Sequence, residues 1–113
     1  MDCLFCKIAE GSIPSELVAE TERILAFRDI NAAAPTHVLL IPKEHVADSA
    51  AQLHLEHGAM LAELFELAAQ IAAEEQLDDG WRLVTNIGAG AGQSVFHLHV
   101  HLLGGRPLGW PPG

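Results

Sequence analysis

Residues 97–103 read HLHVHLL, with histidine alternating against leucine or valine. A strict period of two is the pattern of a β-strand whose faces differ, because successive side chains point to opposite sides. Side chains two apart share a face, with Cα atoms about 6.8 Å apart. This segment constrains the fold more than any other. It demands a sheet that buries Leu98, Val100 and Leu102 on one side and gathers His97, His99 and His101 on the other. Three roles are open to such a row: a solvent-facing polar surface, two ligands of a zinc site, or a neutral imidazole acting as nucleophile.

The rest of the chain supplies partners for that strand. DCLFCKIAEGSIP reads as a short helix with Asp2 as N-cap, Leu4, Phe5 and Ile8 on one face, and Gly11 and Pro14 as its stop. Leu17 to Ala19 and Ile24 to Arg28 flank a polar turn at Glu20 to Glu22, which predicts a hairpin. VLLIPKEH is a buried strand ended by Pro42. Leu53 to Glu75 predicts one long helix carrying Met60, Leu61, Leu64, Phe65, Ala68, Ile71 and Ala72 as an apolar stripe, closed by Asp78, Asp79 and Gly80. WRLVTNI and VFHLHVHLL are strands around the loop GAGAGQS, and the final WPPG is a stiff tail. The expectation is one α+β domain over residues 1–113, a mostly antiparallel sheet of about five strands with one long and one short helix.

Charge narrows the function. Fifteen acids against six bases give a formal charge of −9, and the bases are scattered. That excludes a nucleic-acid backbone binder, which relies on clustered Lys and Arg. The start MDCLFCKIAEG lacks a basic region ahead of an apolar run, and no apolar run approaches a membrane span. A cytoplasmic protein is expected.

Two further features bear on chemistry. Gly88, Gly90 and Gly92 precede the histidine segment. With Gln93 and Ser94 they form either a plain hairpin connection or a donor nest suited to a phosphoryl group. Cys3 and Cys6 form a C-x-x-C, readable as free thiols, a redox pair or half of a zinc site that needs two more ligands. His54 and His57 belong to no motif and are expected at the surface.

HLHVHLL resembles the His-φ-His-φ-His-φ-φ signature of the histidine triad superfamily. LFCKIAEGSIPS, AFRDINAAAPTHVLLIPKEH, VTNIGAGAGQSVFHLHVHLLGGR and WPPG resemble, in order and spacing, its Hint branch of nucleotide-binding phosphoramidases. The resemblance implies a hydrolase of purine nucleoside 5′-phosphoramidates with no catalytic metal. His99 would be the nucleophile, while His101 and His37 hydrogen-bond the phosphoryl oxygens. Gln93 and Ser94 would lie beside the phosphate, with Ser94 relaying a proton to the leaving amine. Asn86 and the Gly92 amide would add α-phosphate contacts.

For the nucleoside, the resemblance implies Asp29 on the ribose hydroxyls. Leu4, Phe5, Ile8, Phe27 and Ile30 would line the purine slot, although plain core is the alternative for all five. Relatives of bacterial type imply a structural Cys2His2 zinc on Cys3, Cys6, His45 and His97. They also imply a homodimer in which Trp110 approaches the partner's ligand. Val100 leading straight to His101, together with WPPG, sets the chain apart from the sister Fhit branch of dinucleoside polyphosphate hydrolases, the second reading. A nucleotide-binding scaffold with incidental hydrolysis is the third.

Overall fold

A computed structural model of the chain describes residues 3–113. The elements run α1 (Leu4–Ala9), β1 (Leu17–Glu20), β2 (Ile24–Arg28), β3 (Thr36–Pro42), α2 (Gly58–Glu74), β4 (Trp81–Val84) and β5 (Val100–Gly104), with short 3₁₀ turns at Ala50–Gln52, Leu55–His57 and Ala89–Ala91. The strands form one antiparallel sheet in the order β1-β2-β3-β5-β4. This is the expected α+β architecture. Among the described residues no helix is long and apolar enough to cross a membrane.

The sheet has two unlike cores because its central strands are apolar on both faces. On one side Ile24, Ala26, Val38, Leu40, Val100 and Leu102 pack against Leu64, Ala68 and Ile71 of α2. On the other, Leu25, Phe27, Leu39 and Ile41 pack against Phe5 of α1. Neighbouring residues of β2 and β3 therefore belong to different clusters, as the period of two requires. Every residue of β3 is buried, and removing a side chain such as Leu40 from so dense a layer costs about 2–5 kcal/mol.

The long helix starts later than the sequence pattern indicates, since residues 50–57 wind as two 3₁₀ turns. Its buried stripe is Met60, Leu64, Leu67, Ala68, Ile71 and Ala72. Phe65 is 55% exposed, against expectation. It sits about 100° around the helix from Leu64, on the flank of a stripe centred near Leu64 and Ile71. The helix closes before Asp78. Gln76 takes a left-handed φ of 60°, and Leu77 N–H and Gln76 N–H donate to the carbonyls of Ala72 and Ala73. That is a Schellman ending with glutamine where glycine is favoured. At the same end Arg28 donates to both carboxylate oxygens of Glu75, at 2.6 and 3.2 Å, tying β2 to the helix.

At the N-terminus, Asp2 lies outside the described residues. The N-cap of α1 is Cys3, whose Sγ accepts the Cys6 N–H at 3.2 Å.

β5 is shorter than the predicted 95–103 strand, and its ladder begins at Val100. Residues 97–99 keep the alternation but spend their backbone groups elsewhere. The His97 carbonyl accepts from His99 Nδ1, the His99 carbonyl from Thr85 Oγ1, and Leu98 N–H donates to the Ala47 carbonyl. Those partners occupy groups that a neighbouring strand would otherwise use.

Candidate active site

The three histidines line the α1 side of the sheet, opposite Leu98, Val100 and Leu102. They do not form an exposed polar row: His97 is fully buried and His99 is 7% exposed. Phe5 accounts for much of that cover. Its ring stands edge-on to His99 at 5.0 Å, to His97 at 6.0 Å and to Phe27 at 5.6 Å.

Hydrogen bonds assign the protons of these rings. A carbonyl only accepts, so the 2.8 Å contact between His99 Nδ1 and the His97 carbonyl puts the His99 proton on Nδ1. In the neutral ring, Nε2 then carries the lone pair. His37, the second residue of β3, accepts the Ala33 N–H on Nδ1 at 3.0 Å, so its own proton is on Nε2. That nitrogen lies 2.9 Å from His101 Nδ1 and 3.3 Å from Asp29 Oδ2. Burial holds His37 below the ordinary imidazole range, against the opposing pull of Asp29. Burial, reinforced by His99 and His37, pushes His101 down to about 4. Asp29 lies just past β2, its Oδ1 accepting the Asn31 N–H at 2.8 Å.

The glycine-rich loop leads along the chain into the histidine segment. Gly88 and Gly92 have φ of 89° and 101°, in the region that favours glycine. Gln93 is buried and staples the loop: its Oε1 accepts from Gly88 N–H, and its Nε2 donates to the Asp48 and Val95 carbonyls. The Gly92 N–H is likewise engaged, on the Ala89 carbonyl. Asn86 lies close to Gly92, whose added Cβ would meet Asn86 Nδ2 at 3.6 Å. Ser94 is exposed.

The expected base slot divides by burial. Phe5 and Phe27 are core, Ile8 is half-buried, and Leu4 and Ile30 are 46% and 95% exposed. Trp110, in the tail, is 84% exposed. His54 is exposed and its N–H donates to His57 Nδ1. A cavity of about 760 Å³ lies away from the histidines, among Asp79, Trp81, Arg82, Arg106 and Leu108.

Cys3, Cys6, His45 and His97 converge, with one donor atom of each within 4.8 Å of the others. His97 Nδ1 stands 3.2 and 3.5 Å from the two sulfurs, and His45 Nδ1 stands 3.7 Å from Cys6 Sγ. Sulfur and nitrogen ligands around one tetrahedral zinc lie about 3.6 Å apart. Both rings turn Nδ1 inward because Nε2 is used outward, His97 on the Pro42 carbonyl and His45 on the Asp48 carboxylate. Such outer partners orient metal-binding imidazoles. Asp48 was not anticipated from the sequence. Its one available signal is its place three residues after His45. The N–H of Ala33, which donates to His37, and the hydroxyl of Thr85, which donates to the His99 carbonyl, left no signal at all.

A sequence model of the HIT domain family matches residues 10–108. The chain is 49% identical over 111 residues to a 14 kDa zinc-binding protein of Zea mays, covering 97% of this chain and 87% of that one. It is 47% identical over 112 residues to an uncharacterized HIT-like protein of Synechococcus elongatus, covering 99% and 97%. The crystal structure of a HIT family hydrolase from Legionella pneumophila superposes with a TM-score of 0.95 at 50% identity, covering 99% of this chain and 100% of that one.

Proposed function

The chain belongs to the HIT domain family, and from that premise we propose that it is a nucleotide-binding hydrolase of the Hint branch. Its reaction is cleavage of the P–N bond of purine nucleoside 5′-phosphoramidates. The observation that carries this reading is the 2.8 Å bond from His99 Nδ1 to the His97 carbonyl, which leaves Nε2 of the neutral ring as a nucleophile needing no strong base.

In this reaction the Nε2 lone pair attacks the α-phosphorus. The P–N bond to the amine breaks as the P–Nε2 bond forms. The departing amine takes a proton relayed by Ser94. Water then attacks the nucleotidyl-imidazole, releases the nucleoside monophosphate and returns Nε2. His101 hydrogen-bonds a phosphoryl oxygen from Nε2, and His37, whose single ring proton faces His101 Nδ1, braces that ring, so that charge developing there meets a donor already in place. Asn86 adds a contact from beside the loop. With its amide committed to three backbone groups, Gln93 serves by holding the loop in shape. The Gly92 N–H reaches phosphate only by leaving Ala89.

Asp29 binds the ribose hydroxyls, since a carboxylate accepts from both members of a diol. Leu4, Ile8 and Ile30 offer apolar surface to the purine over the Phe5–Phe27 pair. Cys3, Cys6, His45 and His97 hold a structural zinc, which cross-links α1 to the segment that carries the nucleophile. The protein acts in the cytoplasm as a homodimer, with Trp110 directed at the partner's ligand.

The test is hydrolysis of adenosine 5′-phosphoramidate by the wild type and by His99→Ala. Turnover that vanishes in the variant while AMP still binds supports the reading. Normal turnover in the variant, or preference for a dinucleoside polyphosphate, overturns it. AMP binding without any turnover leaves the scaffold reading standing instead.

A further inference from the structure

Residues 45–48, between β3 and the first 3₁₀ turn, reach three parts of the site. The His45 ring is a member of the Cys/His cluster, its Nδ1 3.7 Å from Cys6 Sγ. The Ala47 carbonyl accepts the Leu98 N–H at 2.9 Å, between His97 and His99. The Asp48 carbonyl accepts from Gln93 Nε2 at 2.7 Å, and Gln93 Oε1 in turn takes the Gly88 N–H at 2.8 Å. Asp48 also holds the first of these groups. A carboxylate only accepts, so the 2.7 Å contact of its Oδ1 with His45 Nε2 puts the His45 proton on Nε2 and leaves Nδ1 of the neutral ring to face Cys6. Three hydrogen bonds therefore lead from the His45 ring, through Asp48 and Gln93, to Gly88. The intermediate groups are themselves tied: the Asp48 N–H donates to Gln52 Oε1 at 2.8 Å, and buried Gln93 donates a second time, to the Val95 carbonyl.

We propose that Asp48 is a positioning residue that couples the Cys/His cluster to the glycine-rich loop: a His45 ring fixed as a ligand holds the Asp48 carboxylate, and the Asp48 carbonyl holds the loop through Gln93. The loop needs such a staple from outside. Gly88 and Gly92 have positive φ, and glycine brings little backbone preference of its own to hold a shape. Without a metal, His45 loses the bond that opposes its side-chain rotation, and the carboxylate loses a fixed donor. Freedom at Asp48 then passes to the Gln93 amide. The chain from Gln93 to His97 is a second route from the cluster to the loop, and it bypasses Asp48. The inference rests on the reading of Cys3, Cys6, His45 and His97 as a zinc site.

The experiment measures hydrogen exchange of the Gly88 N–H by NMR in the full chain, zinc-loaded and after chelation, for the wild type, Asp48→Ala and Asp48→Asn. The Asp48 side chain is 52% exposed, so alanine opens no cavity, and it keeps the carbonyl that Gln93 uses. Asparagine keeps an oxygen for His45 Nε2. In the wild type, chelation should speed Gly88 exchange about tenfold or more, the worth of one hydrogen bond to a charged group. The amides of β3, paired on both sides within the sheet, should change by about twofold or less, since local opening spares the core. In zinc-loaded Asp48→Ala, Gly88 should already exchange near the fast rate, and chelation should add about twofold or less because the coupled pair is already broken. Asp48→Asn should respond to chelation as the wild type does, and the Gln93 side-chain amide shifts should move with zinc in both.

Gly88 exchange that ignores zinc in the wild type overturns the coupling. An equal response to chelation in the wild type and in Asp48→Ala also overturns it, and assigns the effect to the chain from Gln93 to His97. If Asp48→Asn behaves as alanine does, charge and not the hydrogen bond is responsible, and the positioning role falls. Zinc affinity by chelator competition tests the premise separately. Asp48→Ala should weaken it by about 10–100-fold, as loss of an outer partner does. A wild type that binds no zinc defeats the zinc reading and the coupling with it, whereas one that binds zinc and fails the exchange comparisons loses the coupling alone.

Discussion

His97 turns its two sides to two different tasks: its ring faces Cys3 and Cys6 at 3.2 and 3.5 Å, while its carbonyl takes the Nδ1 proton of His99 at 2.8 Å. The residue joins the Cys/His cluster to the proposed nucleophile without any side chain between them. Its remaining ring nitrogen bonds the Pro42 carbonyl, so the imidazole is anchored on both edges within a fully buried position.

Replacing His99 by alanine removes the attacking nitrogen and leaves the donors around the phosphate in place. Single-turnover hydrolysis of adenosine 5′-phosphoramidate should fall by at least about 10³-fold, the scale seen when a nucleophile is deleted. AMP affinity should change by less than about tenfold. Mass spectrometry of the wild type quenched during turnover should find an AMP adduct on His99 and none in the variant.

Protein purified without added zinc should contain close to one metal equivalent per chain by elemental analysis. Cys6→Ser should lose it. Because a metal that binds only the folded state stabilises it by mass action, strong chelation should lower Tm by roughly 5–15 °C. Retained metal in Cys6→Ser, or an unchanged melt after chelation, speaks against the four-residue site.

Of the three depressed imidazoles, His37, His97 and His101, the two outside the Cys/His cluster, His37 and His101, give a pH dependence of stability. His101 titrates near 4 in the fold against 6.5 outside it, and His37 is lowered as well. Between these values the unfolded chain binds more protons than the folded one, so stability rises with pH across the window. Read downward, stability is present above about 6.5 and is lost as pH falls through about 4. Urea titrations at stepped pH should show this slope, and His101→Gln should flatten it. An equal slope in both proteins would remove His101 from the account.

Gln76 ends α2 with a φ of 60°, a conformation that costs a side-chain-bearing residue about 1 kcal/mol or more. It is exposed, so its side chain offers little in return. Gln76→Gly should raise stability by about 0.5–1 kcal/mol in denaturant melts. A loss of stability would mean that the glutamine side chain contributes a contact the ending depends on.

Much of the architecture was legible in the chain. The two β runs at 17–19 and 24–28 pair as a hairpin, β3 stops at Pro42, and the apolar stripe of α2 faces the sheet. Local pattern suffices there, because periodicities of two and 3.6 dictate which side chains share a face. Phe65 was misread for the same reason: a pattern tells which residues lie near a face, but the width of the buried stripe is set by the sheet beneath it. The resemblance named Cys3, Cys6, His45 and His97 together, and the fold brings one donor atom of each within 4.8 Å of the others.

By itself the sequence determined the alternation of 97–103, and with it the separation of three leucine and valine side chains from three histidines. It could not say where the ladder begins, which ring nitrogen carries each proton, or how deeply His97 lies. Only the tertiary structure decided these, because every deciding partner is remote in sequence or belongs to the backbone: the Pro42 and His97 carbonyls, the Ala33 N–H, the Thr85 hydroxyl. A backbone donor or acceptor is present at nearly every residue of any chain. Its effect on a histidine depends on position in space, which residue identity does not encode.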